Sequence, residues 1–122
     1  MKRIGLFTLL ALAVGLMAGC VKETTVTVNP AMVVGKWYDE AQPKVFWRFD
    51  SDSTGATWDE SEDVREEEGT KFNWSTQGDQ LRIDLYGEMG QHVYYDWTVT
   101  RQTADSLKFK DIYDNPCVFV RI

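Results

Sequence analysis

The sequence predicts an all-β domain: an antiparallel up-and-down β-barrel of about eight strands, preceded by a signal peptide and a tether. From residue 33 onward, apolar and polar residues alternate with a period of two in successive short segments. Clusters of Gly, Asp, Asn and Ser separate these segments at hairpin spacing, and no segment has a convincing amphipathic helical period. Pairing the first strand with the last would remove exposed edges. A two-sheet sandwich is the alternative architecture.

The first residues show, in order, the features of a secretory signal. Lys2 and Arg3 are positively charged, residues 4–17 are largely apolar, and the small residues 18–19 precede Cys20. The apolar segment is shorter than the roughly 18–20 residues that span a bilayer, so a retained transmembrane helix is the weaker interpretation. The leader is therefore predicted to be removed immediately before Cys20.

The sequence Leu16-Met17-Ala18-Gly19-Cys20 resembles the bacterial lipobox, in which the cysteine sulfur receives a diacylglycerol and becomes the mature N terminus. Met17 stands where that motif usually has a branched aliphatic residue, and ordinary signal cleavage that leaves a free cysteine is the alternative. Each buried CH₂ of a lipid contributes about 0.8 kcal/mol, so two or more chains hold a protein stably. Val21 is not Asp, so the resemblance implies an anchor in the outer membrane, with a periplasm-facing orientation favoured over surface display.

The chain is predicted to have three parts. Residues 1–19 form the lipoprotein signal peptide, residues 20–31 a lipidated N terminus and flexible tether, and residues 32–122 the barrel domain. The tether is polar and β-branched and ends near Asn29-Pro30. Its residues after the anchor reach at most about 36 Å, which holds the domain close to the membrane.

The strands of the barrel follow from the alternation and from the turn residues between segments. The predicted strands cover residues 33–38, 44–49, 56–59, 71–75, 81–85, 91–101, 107–110 and 117–122. The predicted turns lie at residues 50–55, 77–79, 87–90, 103–105 and 113–116. Matching the phases of the strands points these side chains toward a common interior: Val45, Trp47, Phe49, Phe72, Trp74, Leu81, Ile83, Leu85, Val93, Tyr95, Trp97, Val99, Leu107 and Phe109.

The charge of the chain excludes some classes of partner. The full sequence has 13 basic and 19 acidic residues and a net charge of −6. Loss of Lys2 and Arg3 with the leader reduces the basic residues to 11, so the mature charge is about −8. Such a surface repels nucleic acid and anionic lipid headgroups and weakly favours cationic partners.

No constellation of residues indicates catalysis, and neither a cofactor nor a metal is predicted. Cys117 has no partner for a disulfide if Cys20 carries lipid, and its apolar neighbours predict an inert buried thiol. His92 is the only histidine, and the sequence does not place it near Cys117. Residues 50–55 resemble a calcium loop of Asp-x-Asp-x-x-Gly type, but Ser61 stands where a full loop needs an acid. A plain hairpin turn is favoured there.

Two short motifs at opposite ends of the domain indicate a family. Gly35-Lys36-Trp37 resembles the Gly-x-Trp signature of lipocalins, and Arg121 stands where their arginine lies across the Trp. With the lipobox and the strand ending in Phe49-Asp50, the layout is similar to the short lipocalin-like lipoproteins common in Bacteroidetes. The resemblance implies a barrel plugged by Trp37 and a location in the cell envelope. The chain is shorter than larger lipocalins, with no disulfide and no outer helix, which leaves little room for a cavity.

Large rings dominate the predicted interior, so a filled barrel is favoured over an open cavity. In the competing interpretation, Trp47, Trp74, Tyr95 and Trp97 line an apolar cup that binds a lipid or an aromatic molecule. The first function class is therefore a membrane-anchored lipoprotein that binds a small apolar ligand in the barrel or at its mouth. The alternative is an envelope protein-interaction module with a filled barrel. Such a module would contact its partner through the acidic stretch 59–68 or through the exposed aromatics Tyr86, Tyr94 and Tyr113. If the acidic stretch has no partner, it is expected to be a solvated, mobile loop.

Overall fold

A computed structural model describes residues 26–122 of the chain; the predicted signal peptide and Cys20 lie outside them. Eight antiparallel strands form a closed barrel in chain order, which confirms the predicted fold class. The strands are β1 (Gly35–Asp39), β2 (Val45–Phe49), β3 (Thr54–Asp59), β4 (Thr70–Gln77), β5 (Gln80–Tyr86), β6 (His92–Gln102), β7 (Ser106–Lys110) and β8 (Pro116–Arg121). A one-turn helix, α1 (Pro30–Val33), precedes them, and two 3₁₀ turns, Glu60–Glu62 and Glu66–Glu68, connect β3 to β4. No helix within residues 26–122 has the length and apolar character needed to cross a bilayer.

The barrel closes where β1 pairs with both β2 and β8. Trp37 lies opposite Trp47 on one side and opposite Arg121 on the other. We call the end that carries α1 the closed end; its strand connections are residues 50–53, 78–79 and 103–105. The other end is the open end, and its connections are residues 40–44, 60–69, 87–91 and 111–115.

The strand faces agree with the alternation in the sequence. Most of the residues predicted to point inward are buried: Phe49, Phe72, Trp74, Leu81, Ile83, Trp97, Val99, Leu107 and Phe109. Val45, Trp47 and Leu85 are half-buried. Val93 and Tyr95 share the inward phase but are exposed, because they lie at the open end of β6. Alternation thus predicted the face of each residue but not its height along the barrel.

Aromatic rings fill the centre of the barrel. The Trp47 ring lies 5.2 Å from Trp97, 5.6 Å from Phe119 and 5.7 Å from Phe72, measured between ring centroids. Trp97 in turn stacks on Phe109 at 4.3 Å. These separations are those of rings in direct contact. The centre is therefore a packed core, as favoured from the number of large residues in the sequence.

The N-terminal segment packs against the closed end. Val28 is buried, and its N–H donates to the Gly78 carbonyl at 2.8 Å. Asn29 Oδ1 accepts from the N–H of Ala31 at 3.1 Å and Pro30 occupies the first helical turn, a combination that starts a helix. The first strand consequently begins at Gly35 rather than at residue 33, and residues 26–31 of the predicted tether are part of the folded domain.

The acidic stretch lies on the outer surface of the barrel. Glu66 accepts hydrogen bonds from Lys36 Nζ at 2.9 Å and from Arg48 Nη1 at 3.0 Å, which ties the stretch to β1 and β2. Beneath it, on the outward face of β3, Ala56 and Trp58 are buried. Most of the stretch is exposed, as expected for a solvated loop, and the Glu66 contacts attach it to the barrel wall at one point.

Candidate functional site

One strand extends beyond its neighbour at the open end. β6 pairs with β5 from His92 to Thr98, whereas its pairing with β7 begins only at Thr98, opposite Lys110. Residues 92–97 therefore have a strand partner on one side only. On the other side lies the β7–β8 connection, residues 111–115.

Between this free edge and the connection lies a cavity that we call the lateral slot. Residues 94–97 of β6 line one side, and Asp111, Ile112 and Tyr113 line the other. Its volume is about 270 Å³. The slot opens at the side of the barrel mouth, where the packed interior meets solvent.

The floor of the lateral slot is continuous with the core. The rings of Tyr95 and Trp97 stack at 5.8 Å with an interplanar angle of 27°. Trp97 stacks in turn on Phe109, and Trp47 packs edge-on against Tyr95 at 6.5 Å and against Trp97 at 5.2 Å. Trp97 is only 6% exposed, whereas Tyr95 is 38% exposed. The core therefore holds the Tyr95 ring in place, and this ring presents most of the fixed apolar surface to the slot.

The rim of the slot combines exposed apolar groups with two carboxylates. Ile112 is 71% and Tyr113 77% exposed. Asp111 Oδ1 accepts from the N–H groups of Tyr113 at 2.8 Å and Asn115 at 2.9 Å, and this hydrogen bonding, from Asn115 above all, lowers the pKa of Asp111. Asp96 accepts from Arg82 at 2.8 and 3.2 Å, and that contact lowers the pKa of Asp96. Both carboxylates are thus ionised at neutral pH.

The structure brings together three of the four residues that the sequence grouped as an apolar cup. Tyr95 and Trp97 line the slot, and Trp47 packs behind them. Trp74 lies apart at the closed end, where its Nε1 donates to the carbonyls of Asp50 at 3.1 Å and Thr54 at 3.0 Å. Its indole therefore fixes the turn between β2 and β3.

Sequence reasoning missed the other side of the slot. Asp111 and Ile112 were not singled out, and Tyr113 was named only as an exposed aromatic. A signal was present, since the predicted strand 91–101 is far longer than the next one, 107–110. A long strand beside a short one must leave part of its edge unpaired, and the following turn lies next to that edge.

The residues of the Gly-x-Trp motif and Arg121 meet at the closed end, away from the slot. Trp37 is fully buried, and its Nε1 donates to the Val33 carbonyl at 2.9 Å. The Arg121 guanidinium carbon lies 4.2 Å from the centre of the Trp37 ring, which is cation–π geometry. Gly35 has φ +136°, and a Cβ at this position would collide with Arg121 Nη1. These residues close the barrel.

Two other candidates have structural roles. Asp50 pairs with Arg48 Nε at 3.0 Å and Asp52 Oδ1 accepts from the N–H of Thr54 at 3.1 Å, so both act within the hairpin turn. Burial, with Asp39 and Asp111 nearby, raises the pKa of Cys117 and keeps its half-buried sulfur as a thiol. Within residues 26–122, no group of three or more His, Cys, Asp or Glu residues could hold a metal ion.

A broader depression lies at the closed end between α1 and the β2–β3 turn. Its volume is about 590 Å³, but Trp74 is its one aromatic side chain and most of its other walls are small residues. The lateral slot has four aromatic residues in less than half that volume. Since rigid aromatic surface with a few polar groups is what small-molecule sites use, the slot is the better candidate.

Comparison with protein-family models, with curated proteins and with solved structures found no match to this chain. The function proposed below is therefore supported by the residues and their geometry.

Proposed function

We propose that this chain is a lipocalin-like, lipid-anchored lipoprotein of the bacterial cell envelope that binds a small apolar ligand at the mouth of its barrel. The observation that carries the proposal is the lateral slot, where the exposed ring of Tyr95, stacked on the buried Trp97, borders a cavity. Because rings already fill the barrel centre, the ligand binds at the mouth and not in the interior.

The location is supported by the N-terminal residues. The lipobox resemblance ends at Cys20, and Val21 favours the outer membrane, with the domain facing the periplasm. The Trp37–Arg121 contact at the closed end supports a lipocalin-like barrel, because it is the arrangement that the Gly-x-Trp resemblance implies. The anchor and the slot are independent parts of the proposal.

The size of the slot limits the ligand. Pockets for drug-sized molecules have volumes of about 300–1,000 Å³. The lateral slot, at about 270 Å³, lies just below that range. We therefore expect a compact ligand, such as a single ring or a short branched group, rather than a long acyl chain.

A second candidate function is an envelope protein-interaction module. It is favoured by an aromatic row on the outer face of the barrel, in which His92 packs edge-on against Tyr86 at 5.0 Å and parallel to Tyr94 at 6.0 Å. Tyr94 is exposed, and exposed tyrosines are frequent contact residues at protein interfaces. In this case the slot would hold no small molecule.

Native mass spectrometry of the full chain, purified from bacterial membranes in mild detergent, tests both parts. We expect a covalent mass increase of a diacylglycerol and further acyl chains, absent from Cys20→Ser. We also expect a noncovalent small molecule that Tyr113→Ala loses, because this substitution removes one wall of the slot. The control Tyr86→Ala changes an exposed tyrosine outside the slot and should retain the molecule.

The two parts can fail separately. An unmodified Cys20 would overturn the lipid anchor whatever the slot contains. An acylated chain that never carries a small molecule would overturn ligand binding and leave the interaction module as the function.

A further inference from the structure

The chemistry around the lateral slot restricts the class of ligand. We infer that the slot binds an organic cation with a compact apolar body, such as a quaternary ammonium group, in preference to a neutral or anionic molecule of the same shape. This inference rests on the proposed function, because it assigns the ligand class of the same site.

The aromatic walls provide the first reason. Tyr94, Tyr95 and Tyr113 are exposed and line the slot, with the buried Trp97 beneath Tyr95, so a guest meets aromatic side chains from β6 and from the β7–β8 connection. The face of an aromatic ring carries partial negative charge and attracts a cation within about 6 Å. A trimethylammonium group suits such walls, because its methyl groups pack against rings while its charge is spread over its surface.

The carboxylate of Asp111 provides the second reason. Its hydrogen-bond donors are the N–H groups of Tyr113 and Asn115 and the Asn115 amide, which are all neutral. Its negative charge is therefore solvated by dipoles but not cancelled by a base. Asp96 differs, because Arg82 pairs with both of its oxygens. Asp111 is thus the charge that a bound cation would meet.

The absence of positive charge on the walls provides the third reason. The seven residues that line the slot, all within the described part of the chain, include no Lys, Arg or His. The whole chain carries a net charge of −6, which raises the local concentration of cations and lowers that of anions. An anionic guest would meet Asp111 without a compensating base, and a neutral guest would gain apolar contact alone.

A matched set of three probes tests this inference by NMR. Choline, 3,3-dimethyl-1-butanol and 3,3-dimethylbutanoate share a trimethyl head; the alcohol has carbon in place of the charged nitrogen, and the acid carries a negative charge. Each is titrated into the ¹⁵N-labelled full chain in a maltoside detergent, whose head group is uncharged. The indole N–H signal of Trp97 reports the slot, and that of Trp37, buried at the closed end, is the internal control.

We expect choline to shift the Trp97 signal with an affinity about tenfold higher than that of the alcohol, the size of a typical cation–π preference. The Trp37 signal should not move, and the acid should bind more weakly than the alcohol. Added salt should lower the affinity for choline and leave the affinity for the alcohol unchanged, because salt screens only the attraction between charges.

Two variants locate the preference in the slot. Asp111→Asn removes the negative charge but keeps an oxygen in place of Oδ1, which accepts both main-chain N–H groups. The affinity for choline should fall about threefold, and the affinity for the alcohol should not change. Asp105→Asn removes the same charge from the exposed closed-end connection and should change neither affinity. Tyr113→Leu keeps an apolar contact but removes the aromatic ring. It should therefore lower the affinity for choline and leave the affinity for the alcohol unchanged.

The outcomes separate this inference from the proposed function. Equal affinities for choline and the alcohol at Trp97 would overturn the cation preference and leave an apolar mouth site intact. A Trp97 signal that no probe shifts would count against the ligand site as well. An equal loss of choline affinity in Asp105→Asn and Asp111→Asn would mean that overall charge acts, and the assignment of Asp111 would be wrong.

Discussion

Arg121 holds the closed end of the barrel through all three nitrogens of its guanidinium group. Nη1 donates to the Val34 carbonyl at 2.8 Å, Nη2 to Met32 at 2.5 Å and Nε to Ala104 at 2.6 Å. The same group covers the fully buried Trp37. One side chain near the C terminus therefore links the segment before β1 to the β6–β7 turn, and Gly35 provides the space that it needs.

Replacing Gly35 with alanine should destabilise the protein by about 3 kcal/mol, because the new Cβ displaces Arg121 and φ +136° strains any residue other than glycine. Urea unfolding followed by tryptophan fluorescence measures the change. Gly78→Ala is the control: φ is +60°, but nothing lies within 4 Å of the added Cβ, so its cost should be about 1 kcal/mol. Equal costs for the two variants would show that backbone strain alone matters and that Arg121 does not need the space.

Among the connections between strands, the one between β3 and β4 is the longest and carries more acidic residues than any other. Glu66 is its attachment point, with Lys36 on β1 and Arg48 on β2 as partners. These hydrogen bonds, the one from Lys36 first, lower the pKa of Glu66. The connection also covers the outward face of β2 and β3, where Phe46 stacks on Trp58 at 5.5 Å. It therefore closes a second, smaller apolar cluster outside the barrel.

Glu66→Gln should lower the free energy of unfolding by about 0.5–1 kcal/mol at pH 7, the range for partly exposed ion pairs. Because the folded-state pKa is lowered, the stabilisation is complete above the ordinary value of 4.5 and is lost as the pH falls through the folded-state value. The difference in the free energy of unfolding between the two proteins, measured by urea unfolding from pH 7 to pH 3, should thus be constant above pH 4.5 and shrink as the pH falls further. Glu67→Gln, at an exposed neighbour, should have no effect at either pH.

The alternation of residues in the strands predicted the closed barrel, the faces of the strands and the positions of the turns. It could not predict height along the barrel axis, which is why Trp74 was grouped with Trp97. Trp74 stands three positions before the turn at 77–79, so counting residues to the nearest turn would have placed it at the closed end. The slot beside β6 could have been inferred from the unequal lengths of the predicted strands 91–101 and 107–110. The burial of Trp58 beneath the acidic connection depends on tertiary contacts that the alternation does not record.

At the scale of the whole molecule, the barrel has a packed interior, and the proposed site lies on its rim. Trp47 is central to this arrangement, since its ring touches residues of β4, β6 and β8. Its neighbours are themselves packed against Phe109 and the rest of the core. Binding at the rim therefore requires no rearrangement of the interior.

Trp47→Ala should leave a void in the barrel and destabilise the protein by about 3–5 kcal/mol. An apolar void of this kind takes up small apolar guests. We therefore expect pressurised xenon to raise the Tm of the variant and to leave that of the parent protein nearly unchanged.

Phe46→Ala is the matched control for the void. It removes a ring from the neighbouring position of β2, but Phe46 packs outside the barrel against Trp58. The Phe46→Ala protein should be less stable than the parent protein, but xenon should not raise its Tm. If the parent protein responded as strongly as Trp47→Ala, the barrel centre would contain accessible space and the guest would not be confined to the rim.

The chain enters its folded part at the closed end, where Val28 and Asn29 bond to the turn at Gly78 and to Gln102. If Cys20 carries the proposed lipid, the closed end is the end of the barrel joined to the anchor, and the rim with Tyr113 and Asp111 is the end farther along the fold from it. With the anchor at the closed end, a ligand of the proposed site would reach the rim by diffusion through water, without first dissolving in the membrane. In this orientation the rim would meet water-soluble molecules that carry an apolar group, rather than lipids extracted from the bilayer.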